Sequence, residues 1–269
     1  MTVSTALHPG EDWAILDGAR AGHTLILGDA GTGKSTDLMQ ILERQLPYDQ
    51  PLILMAGNHQ PLAHHARDIM PRNRDVLWVD PTDPACPWAL GGLKPLEPDK
   101  QAIDMARVWR EHQVLLVYLD EKKLGRGRAG VWGRLLLDQL HNVLIKAVSP
   151  TTRGLLLIDE ATYLLEAPGM ALAERGLSWG LRLAVAAQTR DVMSSPIVRW
   201  SLLGNARHLI AHRMTEPDAA QYTAAHLHVS SKALRHLPPH TALCVWDRQD
   251  RGADAVRIEF AAPCAEASR

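Results

Sequence analysis

The sequence predicts an α/β fold on a doubly wound, mostly parallel sheet. Three observations carry that reading. Short apolar runs alternate with segments of helical period along most of the 269 residues. Two runs, Gly154-Leu155-Leu156-Leu157-Ile158 and Leu181-Arg182-Leu183-Ala184-Val185-Ala186-Ala187, are nearly continuous rather than alternating, as a strand buried on both faces requires. A third run, His23-Thr24-Leu25-Ile26-Leu27, passes through a glycine-rich turn directly into a helical pattern.

That turn is the first element with chemistry in it. Gly28-Asp29-Ala30-Gly31-Thr32-Gly33-Lys34-Ser35 is a complete G-x-x-x-x-G-K-[ST] phosphate-binding motif, and the helix predicted over 35–46 follows it. Its glycines let the backbone curl so that successive N–H groups face one anion, and the helix adds the positive end of its dipole. Lys34 is expected to reach the β- and γ-phosphates, with Thr36 completing the nucleotide contacts and the Ser35 hydroxyl on Mg²⁺.

The other elements follow in order. Residues 1–22 form an N-terminal segment, with an edge strand at 13–17, and residues 23–269 form one domain. Strands are expected at 51–55 and 76–79, separated by a helix over 59–70. A Pro- and Gly-rich loop covers 81–93, and a helix is expected over 98–117. A glycine- and arginine-rich, mobile break at 122–130 precedes an amphipathic helix over 131–148. The run at 154–158 ends in Asp159-Glu160. An acid at the carboxyl end of a parallel strand sits in the ligand crevice. Asp159 is expected to hold the metal's water shell and Glu160 to polarise the attacking water; alternatively Glu160 caps the next helix. A helix at 170–179 leads to the strand at 181–187, which ends at Gln188, a candidate γ-phosphate sensor or else a solvated loop amide. A helix at 196–203, a strand at 208–212 and helices at 216–225 and 230–237 come next. Runs at 242–246 and 255–260 form a closing C-terminal hairpin across a polar turn.

Composition narrows the function classes. A formal net charge of −1 excludes polyanion binding by bulk charge, so any nucleic-acid surface is a local patch. Three cysteines, Cys86, Cys244 and Cys264, stand far apart without metal or redox spacing, which fits a reduced, cytoplasmic setting. No apolar run is long enough to span a membrane and the N-terminus does not pattern as a signal peptide. His226, His228, His236 and His240 have no cysteine at ligand spacing and read as structural or surface histidines, as do His64 and His65. Trp109, Trp132, Trp179 and Trp200 fall on predicted helices and read as core or subunit-interface packing. Lys122, Lys123, Arg126, Arg128 and Arg134 cluster with Glu121 as the single acid between 121 and 134. They form either a phosphate-holding loop or a solvated helix connection.

At this point the chain resembles the HerA/FtsK superfamily of ring-forming, DNA-pumping ATPases. The TraG-like, type IV secretion (conjugative transfer) branch and the compact viral genome-packaging ATPases are the nearest in pattern. The resemblance covers residues 20–260. It is carried by Asp80-Pro81 with its Pro-rich loop, Trp132-Gly133-Arg134-Leu135-Leu136 ahead of the acid strand, Ile158-Asp159-Glu160-Ala161, Gly180 through Gln188, Gly204-Asn205, the strand ending at Arg213 with Glu216-Pro217-Asp218-Ala219, and Leu237-Pro238-Pro239-His240-Thr241-Ala242-Leu243. The family often carries an arginine three residues before the glycine of the sensor strand, where this chain has Leu177. Arg175, Arg182 and Arg213 are the candidates for a finger acting on a neighbour's nucleotide. The resemblance implies a P-loop NTPase (RecA-like) core, ATP and Mg²⁺ as cofactors, and a homo-hexameric ring. It implies that ATP hydrolysis moves double-stranded DNA, with a membrane or capsid-vertex protein as a further partner. A protein-secretion motor of the same fold and a non-motor ATP-binding switch are the alternatives.

Overall fold

The computed structural model describes residues 4–7, 22–57, 60–89, 101–146, 152–160, 167–194, 197–239, 241–245 and 256–259. Strand β1 covers Ser4–Leu7, β2 His23–Gly28 and helix α1 Lys34–Gln45; then come β3 (Leu52–Ala56), α2 (Gln60–Asp68) and β4 (Val76–Val79). Two short strands, β5 (Trp88–Ala89) and β6 (Gln101–Ala102), pair in parallel apart from the main sheet. Next are α3 (Met105–Arg110), β7 (Val114–Tyr118), α4 (Glu121–Leu124), α5 (Arg126–Lys146) and β8 (Gly154–Asp159). Helix α6 (Ala167–Arg175) continues as a 3-10 turn, Gly176–Trp179, into β9 (Leu181–Gln188) and α7 (Thr189–Ser194). A π-helical stretch, Ile197–Leu202, leads through α8 (Leu203–Asn205) to β10 (Ala206–Ala211). The chain closes with α9 (Pro217–Leu227), α10 (Ser231–Arg235), β11 (Thr241–Val245) and β12 (Val256–Glu259).

The main sheet has ten strands in the order β1-β12-β11-β10-β2-β9-β8-β3-β7-β4. From β10 to β4 every pairing is parallel, so the expected α/β, mostly parallel sheet is the fold observed. Strands β11 and β12 form the expected antiparallel C-terminal hairpin, with β11 antiparallel to β10. Strand β1 pairs in parallel with β12 and so joins the sheet edge. The edge strand expected at 13–17 lies outside the described residues.

Side chains of the central strands divide strictly by parity, as the pleat dictates. Ile26, Leu54, Leu116, Leu157, Ala184 and Ile210 pack with Leu38, Leu42 and Ala63 of α1 and α2 on one face. Leu25, Leu27, Met55, Leu115, Leu156, Val185 and Leu209 pack with α3, α5, α6, α9 and α10 on the other. Residues of β2, β3, β7 and β8 are buried without exception, which is why these strands read as continuous apolar runs.

Three expected elements are corrected. Among the described residues of the helix expected over 98–117, the helical part is Met105–Arg110, capped by the Asp104 side chain accepting from Arg107 N–H. His112 turns the chain in the left-handed region (φ 53°), and Val114–Tyr118 becomes β7 between β3 and β4. Five consecutive apolar and aromatic residues, two of them β-branched, outweigh the helical spacing because both faces of the sheet have helices to cover them. The mobile break expected over 122–130 is instead helical. Asp120 accepts from Lys122 and Lys123 N–H at the start of α4, Gly125 turns the chain (φ 80°), and α5 begins at Arg126. The helix expected over 196–203 is the π-helical stretch with α8, and α7 precedes it.

Buried His23 is a pH-sensitive joint in this core. Its Nδ1 accepts from Leu183 N–H at 3.0 Å and its ring also bonds the Ala173 backbone, tying β2 to β9 and α6. Burial pushes its pKa from 6.5 to about 4 against the opposing Ala173 bond. The unfolded chain therefore binds a proton between those values that the folded chain refuses, so stability falls as pH drops through 6.5. Denaturant titration is expected to lose about 2 kcal/mol from this group between pH 7 and pH 5. His23→Asn, which keeps an acceptor for Leu183, is expected to flatten that slope.

Candidate active site

The site forms at the carboxyl ends of β2, β9 and β8, beside the start of α1. Strand parity puts Asp159 and Gln188 on the face that carries α1, since Leu157, Ala184 and Ala186 pack there. Register then brings them together: Gln188 pairs with Gly28 and Asp159 with Ala186. A cleft of about 170 Å³ is lined by Ala30, Gly31, Lys34, Ser35, Asp159, Glu160, Ala186 and Gln188.

The phosphate loop is already shaped. Gly31 (φ 72°) and Gly33 (φ 114°) take backbone conformations that side chains resist. Gly28 is required for space instead: a Cβ there would sit 2.7 Å from His212 Cβ and 2.8 Å from Thr32 Oγ1. Thr32 Oγ1 donates to the Asp29 carbonyl at 2.8 Å, and Lys34 Nζ donates to the same carbonyl at 2.7 Å. Gly33 is the N-cap of α1 and, having no side chain, supplies no side-chain hydrogen bond to the first-turn amides of the helix. Thr36 N–H returns to the Gly33 carbonyl at 2.9 Å.

Across the cleft, Ser35 Oγ donates to the Asp159 carboxylate, 3.1 Å from Oδ1 and 3.3 Å from Oδ2. Asp159 is 5 % exposed. Gln188 Nε2 donates to Glu160 Oε1 at 3.4 Å. Glu160 has a positive φ of 85°, uncommon for a residue with a side chain and of order 1–3 kcal/mol in cost. That twist turns it out of the strand's alternation and into the same cleft as Asp159.

Two features of the site left no signal in the sequence. Asp29 carries a carboxylate that accepts from Thr189 Oγ1 at 2.7 Å and from Thr215 N–H and Oγ1, each at 2.8 Å. Burial alone would raise its pKa, but these bonds and the nearby Lys34 charge hold it below the usual carboxylate range. Beneath the loop, His212 Nε2 lies 2.6 Å from Asp37 Oδ2, with side chains 1 % and 0 % exposed. Burial raises the Asp37 pKa, opposed by His212 and Lys34, and its Oδ1 has no hydrogen-bond partner among the described residues.

The arginine candidates separate. Arg182 is held in its own chain by Gln45 Oε1 and Gln50 Oε1, both at 2.8 Å. Arg175 is exposed where α6 turns toward the amino end of β9, on the edge opposite the cleft. Arg213 is exposed just beyond β10, on the cleft edge, and its carbonyl accepts from Asp29 N–H at 3.0 Å. Among the tryptophans, Trp109 is buried and Trp132 and Trp179 pack against the core, whereas Trp200 is 70 % exposed. His226 meets the Tyr222 ring edge-on, His228 is the left-handed cap of α9, and His240 lies outside the described residues.

No family profile and no curated protein sequence matches the chain. Solved structures do match. The bacterial conjugative coupling protein TrwB is 13% identical, with 89% of this chain and 84% of that one covered at a TM-score of 0.67. The genome packaging NTPase B204 from Sulfolobus turreted icosahedral virus 2 is 12% identical over 89% of this chain and 98% of that one, at 0.54. VirB4 of Thermoanaerobacter pseudethanolicus is 13% identical over 91% and 90%, at 0.59. The fold is theirs. The conjugative and viral-packaging kinds named by the sequence resemblance are among the proteins that share it.

Removing one member of the buried Asp37–His212 pair strands the other in a dry site. Asp37→Ala and His212→Ala are each expected to cost about 3–5 kcal/mol in urea unfolding. Replacing both with apolar residues of similar volume is expected to cost less than either single change.

Proposed function

We propose that the chain is a Mg²⁺-dependent ATPase that assembles as a homo-hexameric ring and moves double-stranded DNA. The observation that carries the hydrolytic half is the convergence of Lys34, Ser35, Asp159, Glu160 and Gln188 on one cleft at the mouth of a preformed phosphate loop. Lys34 and the amides around Gly31–Ser35 bind the β- and γ-phosphates, and Lys34 leaves the Asp29 carbonyl to do so. Ser35 and Asp159 offer hard oxygen donors only, the chemistry Mg²⁺ prefers, with its other positions left to phosphate and water. When bound, Mg²⁺ neutralises charge developing on the β- and γ-oxygens. Glu160 takes the proton of the attacking water, and Gln188, bonded to Glu160, holds that carboxylate in line and senses the γ-phosphate.

Nucleotide-bound neighbours support the cofactor reading. TrwB has been solved with ADP and Mg²⁺ and with a non-hydrolysable ATP analogue, and also with a GTP analogue. The fold therefore does not discriminate the purine, and ATP over GTP rests on the family resemblance. In the ring, the exposed Arg213 and Arg175 are the arginines offered to a neighbour's γ-phosphate, Arg213 from the cleft edge. Lys122, Lys123, Arg126 and Arg128 are exposed on α4 and the first turn of α5. Two arginines at the positive end of a 21-residue helix with no acid in its first turn focus positive potential where β7 ends. We assign this edge to the DNA backbone. None of the described helices is long and apolar enough to cross a membrane. We propose a cytoplasmic domain, residues 23–269, recruited by a membrane or capsid-vertex protein.

Glu160→Gln is expected to keep nucleotide affinity and lower the steady-state ATPase rate by at least about a hundredfold. Persistent turnover in that variant would remove Glu160 from the role of base. Double-stranded DNA is expected to stimulate the native ATPase, an effect that fades as salt rises and weakens in Arg126→Glu/Arg128→Glu. Turnover indifferent to DNA would instead favour protein as the cargo.

A further inference from the structure

The phosphate loop is tied to two other parts of the site through one residue. On one side, the Asp29 carboxylate accepts from Thr189 Oγ1 at 2.7 Å, and Thr189 directly follows Gln188 at the tip of β9. On the other side, it accepts from Thr215 N–H and Oγ1 at 2.8 Å, while Asp29 N–H donates to the Arg213 carbonyl at 3.0 Å. The segment beyond β10 follows the loop closely. His212 N–H donates to the Leu27 carbonyl at 2.8 Å, and the Gly28 backbone leaves no room for a methyl group against His212. Lys34, which must move when phosphate arrives, rests on the carbonyl of the same Asp29.

We infer that Asp29 is a positioning residue that couples the nucleotide to Arg213. Phosphate withdraws Lys34 from the Asp29 carbonyl, and the three-way carboxylate bond carries the adjustment to both Gln188 and the Arg213–Thr215 segment. The side chain offered to the neighbouring subunit thus follows the occupancy of the loop in its own subunit. A plain phosphate loop needs no carboxylate at this position, because its anion contacts come from backbone amides and the lysine. This inference rests on the nucleotide-binding reading above.

The test is hydrogen exchange by mass spectrometry on the full chain, with and without ATPγS and Mg²⁺, in the native protein, Thr189→Val/Thr215→Val and Thr189→Ser/Thr215→Ser. In the native protein the nucleotide is expected to slow exchange in segments 25–36 and 206–216 alike. In the valine pair, 25–36 stays protected and 206–216 loses its nucleotide-dependent protection. The ATPase rate of that pair falls about tenfold while KM moves by less than about threefold, as misplacement of catalytic groups without lost binding requires. The serine pair, which keeps both hydroxyls, restores both readouts. Coupled protection that survives in the valine pair would overturn the inference, as would a serine pair as impaired as the valine pair. Absence of protection at 25–36 in the native protein would instead overturn the nucleotide-binding reading, and this inference with it.

Discussion

A sheet covered by helices on both faces leaves its central strands little room for polar side chains except at their ends. The placement of the candidate cleft residues follows from that constraint. Along β2, β3, β7 and β8 every position is buried, and the apolar parity is unbroken until the strand tips. At the carboxyl tips the chemistry appears all at once: the phosphate loop after β2, Asp159 and Glu160 after β8, Gln188 after β9, the Arg213–Thr215 segment after β10 and the basic helices after β7. Parallel direction puts all of these on one edge, and register decides which of them touch.

Central strands were legible in the sequence because burial on both faces imposes an unmistakable composition. Strand β7 obeys the same rule, yet its sequence reads as helix, since Met105, Val108 and Trp109 before it do have helical spacing and the boundary at His112 carries no Gly or Pro. In the basic segment, Gly125, Gly127 and Gly130 read as a break, yet a single glycine, Gly125, makes the turn and the other two are absorbed into α5. Within the site, the meeting of Lys34, Ser35 and Asp159 in one cleft was legible because a motif of fixed spacing places the first two and the carboxyl end of a buried apolar strand places the third. The ties of Asp29 to Thr189 and Thr215 were not, nor was the pairing of Asp37 with His212. These contacts span 160, 186 and 175 residues, and a threonine that makes one looks like any other threonine.

The loop is preorganised rather than collapsed. Its lysine has a neutral acceptor in the Asp29 carbonyl, its glycines already hold their unusual angles, and the buried Asp37–His212 pair supports it from below. On the proposed reading, a nucleotide has little backbone to order here, and Lys34 exchanges one hydrogen bond for a stronger, charge-assisted one. In the proposed coupling, nucleotide changes mainly where Lys34 points, and Asp29, the residue it leaves, registers that change.

The twisted backbone at Glu160 has a consequence for how this position can vary. Glycine would relax the left-handed angle and raise the stability of the fold, while asparagine or aspartate would tolerate it better than glutamate does. Each of those replacements removes or shortens the carboxylate. With Glu160 as the proposed base, selection for folding and selection for turnover pull in opposite directions at a single residue, and on that proposal a library screened only for thermal stability drifts toward an inert protein through this position.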